Sequence, residues 1–339
     1  MRALKRIAVL FLTVVILFSA LSSCGIARGE YFVRTRRDGM GRLCISLARV
    51  DKDGKHLSDE KLHTIYEDAC RIFSDTYNDL SDVPESGLYL FNVEFDTVLD
   101  IPKGIGDAAG YAINLSQMTE GLYEPCAGTV SALIKKDPTP SKKALEDALS
   151  HVGTEHFSID GDVLKKSDPK AKLDLGPLRD AYALKAAVEH LTNSRCAYGT
   201  VTFNGTAGVF GKKADESPFE VKLSSGHPGV FNITEGYVSL VSEHFGTAFD
   251  FSDGVTDPAL ECAAVYSLDP RVSCAMAAVA YVNGSDSLME VYRKGELSFE
   301  AALTEKGGGL TLTKYADKNG LFVPEINEAE TQESEEVSK

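Results

Sequence analysis

The sequence predicts an α+β fold, and three observations carry that expectation. Helical and strand patterns alternate irregularly along the chain, with no repeated βαβ unit. Strand signals cluster between residues 198 and 242, around a turn dipeptide at Asn204–Gly205. At 339 residues, with 43% hydrophobic and 25% charged side chains, the chain has the make-up of a globular body with a sizeable core.

The elements follow in order. Residues 1–23 carry Arg2, Lys5 and Arg6, an apolar run from Ile7 to Leu17, and then small residues. That is the plan of a signal peptide, too short for a transmembrane helix of about 20 apolar residues. Leu21–Cys24, "LSSC", resembles a bacterial lipobox, which implies cleavage before Cys24 and acylation of its thiol. A plain secretory signal cut near the same place is the alternative. Residues 24–37 read as a tether, 38–323 as the folded domain and 324–339 as a disordered acidic tail.

Within the domain, "LCISLARV" (43–50) alternates like a strand and leads into the turn "DKDGK". Residues 58–80 open on Ser58 and place Leu62, Ile65, Ala69, Ile72 and Phe73 at helical spacing. Helices are also expected over 104–118, 142–153, 179–194 and 271–294. Strands are expected in "AYGTVTFNG", at 219–225, at 236–242 and at 307–315.

Composition narrows the function. The formal net charge of −15 argues against a nucleic-acid partner, which needs a basic face. Loss of residues 1–23 would remove three further positive charges. Cys44, Cys70, Cys126, Cys196, Cys262 and Cys274 are scattered, without a CxxC pair, and most read as buried small hydrophobes, while export would permit a disulfide whose pairing the sequence does not fix. His151 and His156 flank Glu155, but Gly153 interrupts a metal-binding helical pair. "KGGGL" (306–310) lacks P-loop spacing, and Ser242 lacks a nucleophile elbow.

A family resemblance emerges from the order of weak motifs. "GMGRLCISL" (39–47) is similar to a Met-Gly-Thr strand opening, and "YLFNV" to a Ser-x-x-x-Asn segment ending here at Asn92. "TEGLYEPCAGTVSALI" (119–134), "LDLGPLRDAYALKAAVEHL" (173–191) and "VTFNGTAGVFG" (201–211) follow in register. So do "YVSLVSEHF" (237–245), "GVTDPALE" (254–261) and "VSCAMAAVAYVNG" (272–284). Together they resemble the FAD:protein FMN transferases, the ApbE-type lipid-anchored flavin transferases. The resemblance implies an α+β, T-fold-related single body of two lobes with a central cleft. It also implies FAD as substrate, Mg²⁺ as cofactor, and FMN transfer to a Ser or Thr of an exported partner protein. The flavin-side positions would be Met40, Gly41, Asn92, Glu124, Gly176, Gly205, Ser242 and Asp257.

The chemistry-bearing positions depart from that pattern. The family's metal-ligating Asp and Thr, at i and i+4 on one helical face, fall at Cys274 and Ala278. A neutral thiol is a poor Mg²⁺ ligand and a methyl group is none. The family's His falls at Gly254, its Lys at Asp180, its later Asp at Lys185 and the Thr of Met-Gly-Thr at Arg42. The lipobox places the protein on the extracytoplasmic face of a membrane, and these replacements point to impaired or lost transfer with a cleft retained for a flavin or a partner protein. Two alternatives stand beside this reading. One is an active transferase whose ligands have moved to Glu243, Glu261 or Asp257. The other is a solute-binding lipoprotein with a hinge between two α/β lobes.

Overall fold

Strand pairing begins earlier in the chain than the alternation suggests. The computed structural model describes residues 30–93, 99–100, 103–160, 163–222, 229–243, 257–318 and 320–324. Its first strand, β1 (Tyr31–Asp38), pairs antiparallel with β2 (Gly41–Ala48) in unbroken register from Tyr31–Ala48 to Asp38–Gly41. The tether expected over 24–37 is thus corrected from residue 31 onward. "YFVRTRRD" hides its strand character because charges occupy an edge, where they discourage pairing with another chain.

In chain order there follow α1 (Asp59–Asp79), α2 (Gly87–Val93), β3 (Leu99–Asp100), α3 (Lys103–Met118), α4 (Gly128–Lys136) and α5 (Lys142–Leu149). Next come β4 (Phe157–Asp160), β5 (Val163–Lys166), α6 (Pro177–Asn193), β6 (Tyr198–Phe203), β7 (Thr206–Gly211), β8 (Phe219–Val221), β9 (Gly229–Ile233) and β10 (Gly236–Ser242). The chain ends with β11 (Leu260–Ser267), α7 (Pro270–Lys294), β12 (Glu300–Glu305), β13 (Leu310–Leu312), α8 (Lys314–Lys318) and β14 (Phe322–Pro324). Pro324, assigned to the tail by the sequence, closes β14, while 325–339 lie outside the described residues.

One eight-stranded sheet runs β1-β2-β6-β7-β10-β11-β12-β13, every neighbouring pair antiparallel. Two three-stranded sheets, β14-β9-β8 and β3-β5-β4, accompany it. The side-chain period of two divides the large sheet between cores. Val201, Phe203 and Tyr237 share a cluster with α1 and α6. Ala207, Val209, Val238 and Leu240 turn the other way, against Phe219, Phe231 and Phe322 of the small sheet. Among the described residues every pair in the three sheets is antiparallel, which does not match the α/β lobes expected of a solute-binding lipoprotein.

Three helices position what matters for function. Ser58 caps α1 by accepting from the Lys61 backbone N–H at 3.4 Å, and Leu62, Tyr66, Ala69, Phe73 and Tyr77 form its buried stripe. α6 packs against both α1 and α7. Close approach to β7 depends on Gly208, where a Cβ would stand 2.7 Å from Tyr237 and 2.9 Å from Val188. α7 starts at Pro270 behind the N-cap Asp269, and its small residues from Ser273 to Ala280 are buried against β10 and β11. Gly284, at φ 86°, kinks it, so the helix predicted over 271–294 is two helical runs end to end.

Candidate functional site

The N-terminal ends of α6 and α7 meet over the β7–β10 pair, and most of the residues in question gather there. Asn204 and Gly205 form the β6–β7 turn with φ of 42° and 82°. Two successive positive φ values are what a two-residue hairpin requires. Gly41 lies against this turn, where a Cβ would sit 2.6 Å from Asn204 Oδ1. Met40 precedes it in the β1–β2 turn and packs on the core beside α1. Asn204 Nδ2 donates to Asp180 Oδ2 at 3.3 Å, and Arg179 Nε donates to Asp180 Oδ1 at 3.0 Å. Burial raises the Asp180 carboxyl above the usual carboxylate range, against the opposing pull of Arg179 and Asn204. The Arg179 guanidinium also lies 4.4 Å from the centre of the Tyr77 ring.

Behind this corner is a closed group of hydroxyls and a thiol. Thr206 and Ser239 are cross-strand partners, with Thr206 Oγ1 donating to Ser239 Oγ at 3.2 Å. Ser239 Oγ lies 2.8 Å from Ser273 Oγ and 3.2 Å from Cys274 Sγ, and Thr206 Oγ1 lies 3.4 Å from the same sulfur. All four residues are buried. Burial pushes the Cys274 thiol up to about 11, with the hydrogen bonds from Ser239 and Thr206 pulling down. The thiol is therefore neutral at physiological pH. Ala278 follows one turn later on the same helix and is also buried.

These residues do not fit Mg²⁺. The ion demands an octahedron of oxygens at about 2.1 Å. Cys274 offers a protonated sulfur already surrounded by hydroxyls, and Ala278 offers a methyl group. Among the described residues, no three His, Cys, Asp or Glu side chains gather as a metal-holding group. Two of the three carboxylates considered as relocated ligands are engaged elsewhere, and the third is exposed. Asp257 is exposed and accepts from Lys306 Nζ at 2.7 Å, while Glu261 Oε1 accepts from the Gly307 backbone N–H at 3.4 Å. Glu243 is exposed, just beyond β10.

The remaining expected positions serve as frame. Asn92 is buried and holds both backbone groups of Leu173: Nδ2 donates to the carbonyl and Oδ1 accepts from the N–H, each at 2.9 Å. Two residues on, the Leu175 carbonyl accepts from the Tyr123 hydroxyl at 3.0 Å. Gly176, at φ 43°, turns the chain into α6 and donates its N–H to Asp174 Oδ1 at 2.9 Å. Burial alone would raise the Asp174 carboxyl. The Lys135 charge and hydrogen bonds from Ser131 and Gly176 keep it below its ordinary value. Glu124 accepts from the Cys126 backbone N–H at 2.8 Å, and its partial burial raises its carboxyl. Ser242 ends β10 opposite Cys262, half-buried. Gly254 and Cys24 lie outside the described residues.

The structure thus brings Gly41, Gly205, Asp180 and Cys274 to one corner and places Asp257 ahead of β11 beside Lys306. Sequence reading missed Thr206, Ser239 and Ser273 as partners of Cys274. Two strands and a helix supply them, and the available signal was a hydroxyl residue at a core-facing position of each strand. The six described cysteines are free thiols, five of them buried as expected and Cys44 partly exposed.

Comparison with known proteins agrees with this frame. The family model of the ApbE family matches residues 49–247, more than half of the chain. The chain belongs to the ApbE family. Its backbone is similar to the flavinyl transferase ApbE of Pseudomonas stutzeri, apo form, with a TM-score of 0.73 at 18% identity over 89% of this chain and 100% of that one. The flavin transferase ApbE of Vibrio cholerae gives 0.72 at 15% identity, covering 84% and 97%. The ApbE protein of Thermotoga maritima gives 0.73 at 16% identity, covering 85% and 98%. A search of curated proteins finds no match. The α+β body expected from the sequence is therefore the ApbE fold.

Proposed function

We propose that this ApbE-family chain is an exported, lipid-anchored relative of the FAD:protein FMN transferases that has lost Mg²⁺-dependent transfer and keeps a reshaped cleft. The observation that carries this reading is the Cys274 corner. Where the family resemblance places a metal-ligating carboxylate, the chain has a neutral thiol saturated by Thr206 and Ser239. Attack on a pyrophosphate needs developing negative charge to be neutralised, and the cation is the largest such contribution. Neither a methyl at Ala278 nor a carboxylate at Asp180 replaces it. The FAD-like ligand or exported partner protein is then bound without the transfer step, and the membrane connection runs through acylated Cys24 on the extracytoplasmic face.

Two measurements test this. FAD, Mg²⁺ and a Ser/Thr acceptor peptide are incubated with the chain starting at Cys24, and FMN-modified peptide and AMP are quantified; turnover at ordinary enzyme rates sinks the proposal. Calorimetric titration of FAD with and without Mg²⁺ separates the outcomes further. Mg²⁺-enhanced binding means that an active metal site exists elsewhere in the cleft, and Mg²⁺-indifferent binding marks a flavin carrier. The anchor has its own test. Cys24→Ala releases the protein from membranes, and continued membrane association refutes acylation there.

A further inference from the structure

The chain is acidic overall, but its first strand pair is not. From Tyr31 to Arg42 there are four arginines, Arg34, Arg36, Arg37 and Arg42, against one acidic residue, Asp38, in a chain of net charge −15. Two of the arginines are committed locally. Arg36 faces Glu67 at 3.9 Å, and the Arg34 guanidinium lies over the Phe32 ring at 4.8 Å, with Asp59 within its field. Arg37 and Arg42 are direct cross-strand partners. Among the described residues neither has an ion pair. Like charges placed opposite one another on a sheet destabilise the pair. Val33, on the same strand face as Arg37, is 48% exposed.

The position of this hairpin relative to the anchor gives the arrangement a use. Only residues 25–30 separate Cys24 from β1. Six residues span at most about 20 Å when fully extended. A lipid on Cys24 therefore keeps Tyr31, the start of β1, within that distance of the membrane surface, and Arg37, six residues further along the strand, within about 20 Å more. A single acyl anchor gains strength and orientation from adjacent cationic side chains facing anionic headgroups.

We infer that the β1–β2 hairpin, through Arg37 and Arg42, is a docking surface for anionic phospholipid headgroups. It rests on the lipid-anchor reading for its biological setting, but its test does not require acylation. The hairpin also borders the Asp180 corner, because Gly41 abuts Asn204, which holds Asp180. Docking by this edge fixes that corner near the bilayer.

The test uses the unacylated chain beginning at Cys24 and co-sedimentation with vesicles of phosphatidylcholine, with or without phosphatidylglycerol, at low ionic strength. Wild type sediments with the anionic vesicles more than with the neutral ones, and added salt abolishes the difference. Arg37→Gln/Arg42→Gln weakens binding by about fivefold per arginine. Its melting temperature stays level or rises, because the repulsive pair is gone. Arg293→Glu/Lys318→Glu, on exposed positions away from the hairpin, controls for net charge and keeps more vesicle binding than Arg37→Glu/Arg42→Glu. The inference is overturned by equal sedimentation with both vesicle types, by equal loss in the control, or by a lower melting temperature of the Gln variant, which makes the arginines structural. Failure of the Cys24→Ala release assay with intact vesicle binding refutes the anchor and spares the hairpin.

Discussion

Two aspartate–arginine pairs stand at the N-terminal ends of the two helices that meet over the sheet, and they behave in opposite ways. Asp269 caps α7 and accepts from the Arg271 backbone N–H at 3.0 Å, from its Nε at 2.9 and 3.0 Å and from its Nη2 at 2.6 Å. Burial alone would raise the Asp269 carboxyl, but these bonds hold it below its ordinary value. Arg271 is itself stacked 3.9 Å from the Tyr111 ring centre and donates to the Tyr182 hydroxyl at 3.4 Å. The pair locks α3, α6 and α7 together. Asp180, near the start of α6, has one arginine and one amide for partners, and its carboxyl is raised instead. Hydrogen bonds outweigh burial at the latch, and burial outweighs them at the Asp180 corner. Burial opposes ionisation at Asp180 as it does at Glu124, whereas the hydrogen bonds of Asp269 outweigh its burial.

The latch is the place to break this contrast most severely. Asp269→Ala removes the N-cap and leaves a partly buried guanidinium without its carboxylate, so a loss of about 3 kcal/mol is expected in chemical denaturation. The same carboxyl gives an acid dependence of defined sign. Its folded value lies below the unfolded one, so its contribution is present above about pH 4 and disappears as pH falls through the folded value. Asp269→Asn should flatten that part of the stability profile between neutral pH and acid. An unchanged acid slope would show that the latch carries no such coupling.

Rebuilding the metal face comes next in size. Cys274→Asp/Ala278→Thr places an oxygen pair at i and i+4 where wild type has sulfur and methyl. The buried carboxylate destabilises the metal-free protein, and Mg²⁺ at a hundred times its dissociation constant restores about 2.7 kcal/mol. Wild type should show no Mg²⁺-dependent change in melting temperature. If wild type shifts and the double variant does not, the assignment of these two positions is wrong.

The ease of reading differed between frame and site for physical reasons. The long helices at 59–79, 177–193 and 270–294 were visible because their apolar or small residues recur at helical spacing over many turns. The Asn204–Gly205 turn was visible because its chemistry is local. β1 was hidden by its charges, α4 by its nine-residue length and leading glycine, and β3, β4 and β5 by runs of four residues or fewer. At the site, the departure of Cys274 and Ala278 from the pattern that the resemblance implies could be read along one helix. What occupies those positions could not, since Thr206, Ser239 and Cys274 meet only after β7, β10 and a later helix come together. The backbone grip of Asn92 on Leu173 likewise joins positions 81 residues apart.

A smaller effect, of opposite sign to the latch, belongs to Asp180. A carboxyl whose folded value is raised supports the fold at low pH and loses that support as pH rises through the folded value. At neutral pH it is a net cost. Asp180→Asn keeps the shape and removes the ionisation penalty, so a gain of up to about 1 kcal/mol is expected at pH 7, vanishing in acid. Thermal melts across pH 4 to 8 measure it. Destabilisation at pH 7 would make the Asp180–Arg179 pair a second latch and erase the distinction between the two ends.

The smallest expected effect is the most informative about Cys274. If its thiol is packing inside a hydroxyl cluster, Cys274→Ser changes little, because the hydroxyl inherits the contacts with Ser239 and Thr206 at similar volume. A stability change below about 1 kcal/mol is expected, with FAD binding unaltered. A buried, protonated thiol should also resist alkylation at pH 8 while partly exposed Cys44 reacts. Mass-spectrometric mapping after brief iodoacetamide treatment reads both sites in one digest. Early labelling of Cys274, or loss of ligand binding in the serine variant, would mean that the corner opens and that sulfur took over part of the work of the missing carboxylate. Silence at Cys274 under both probes supports closed packing of the polar cluster at the position where the family resemblance places a metal ligand.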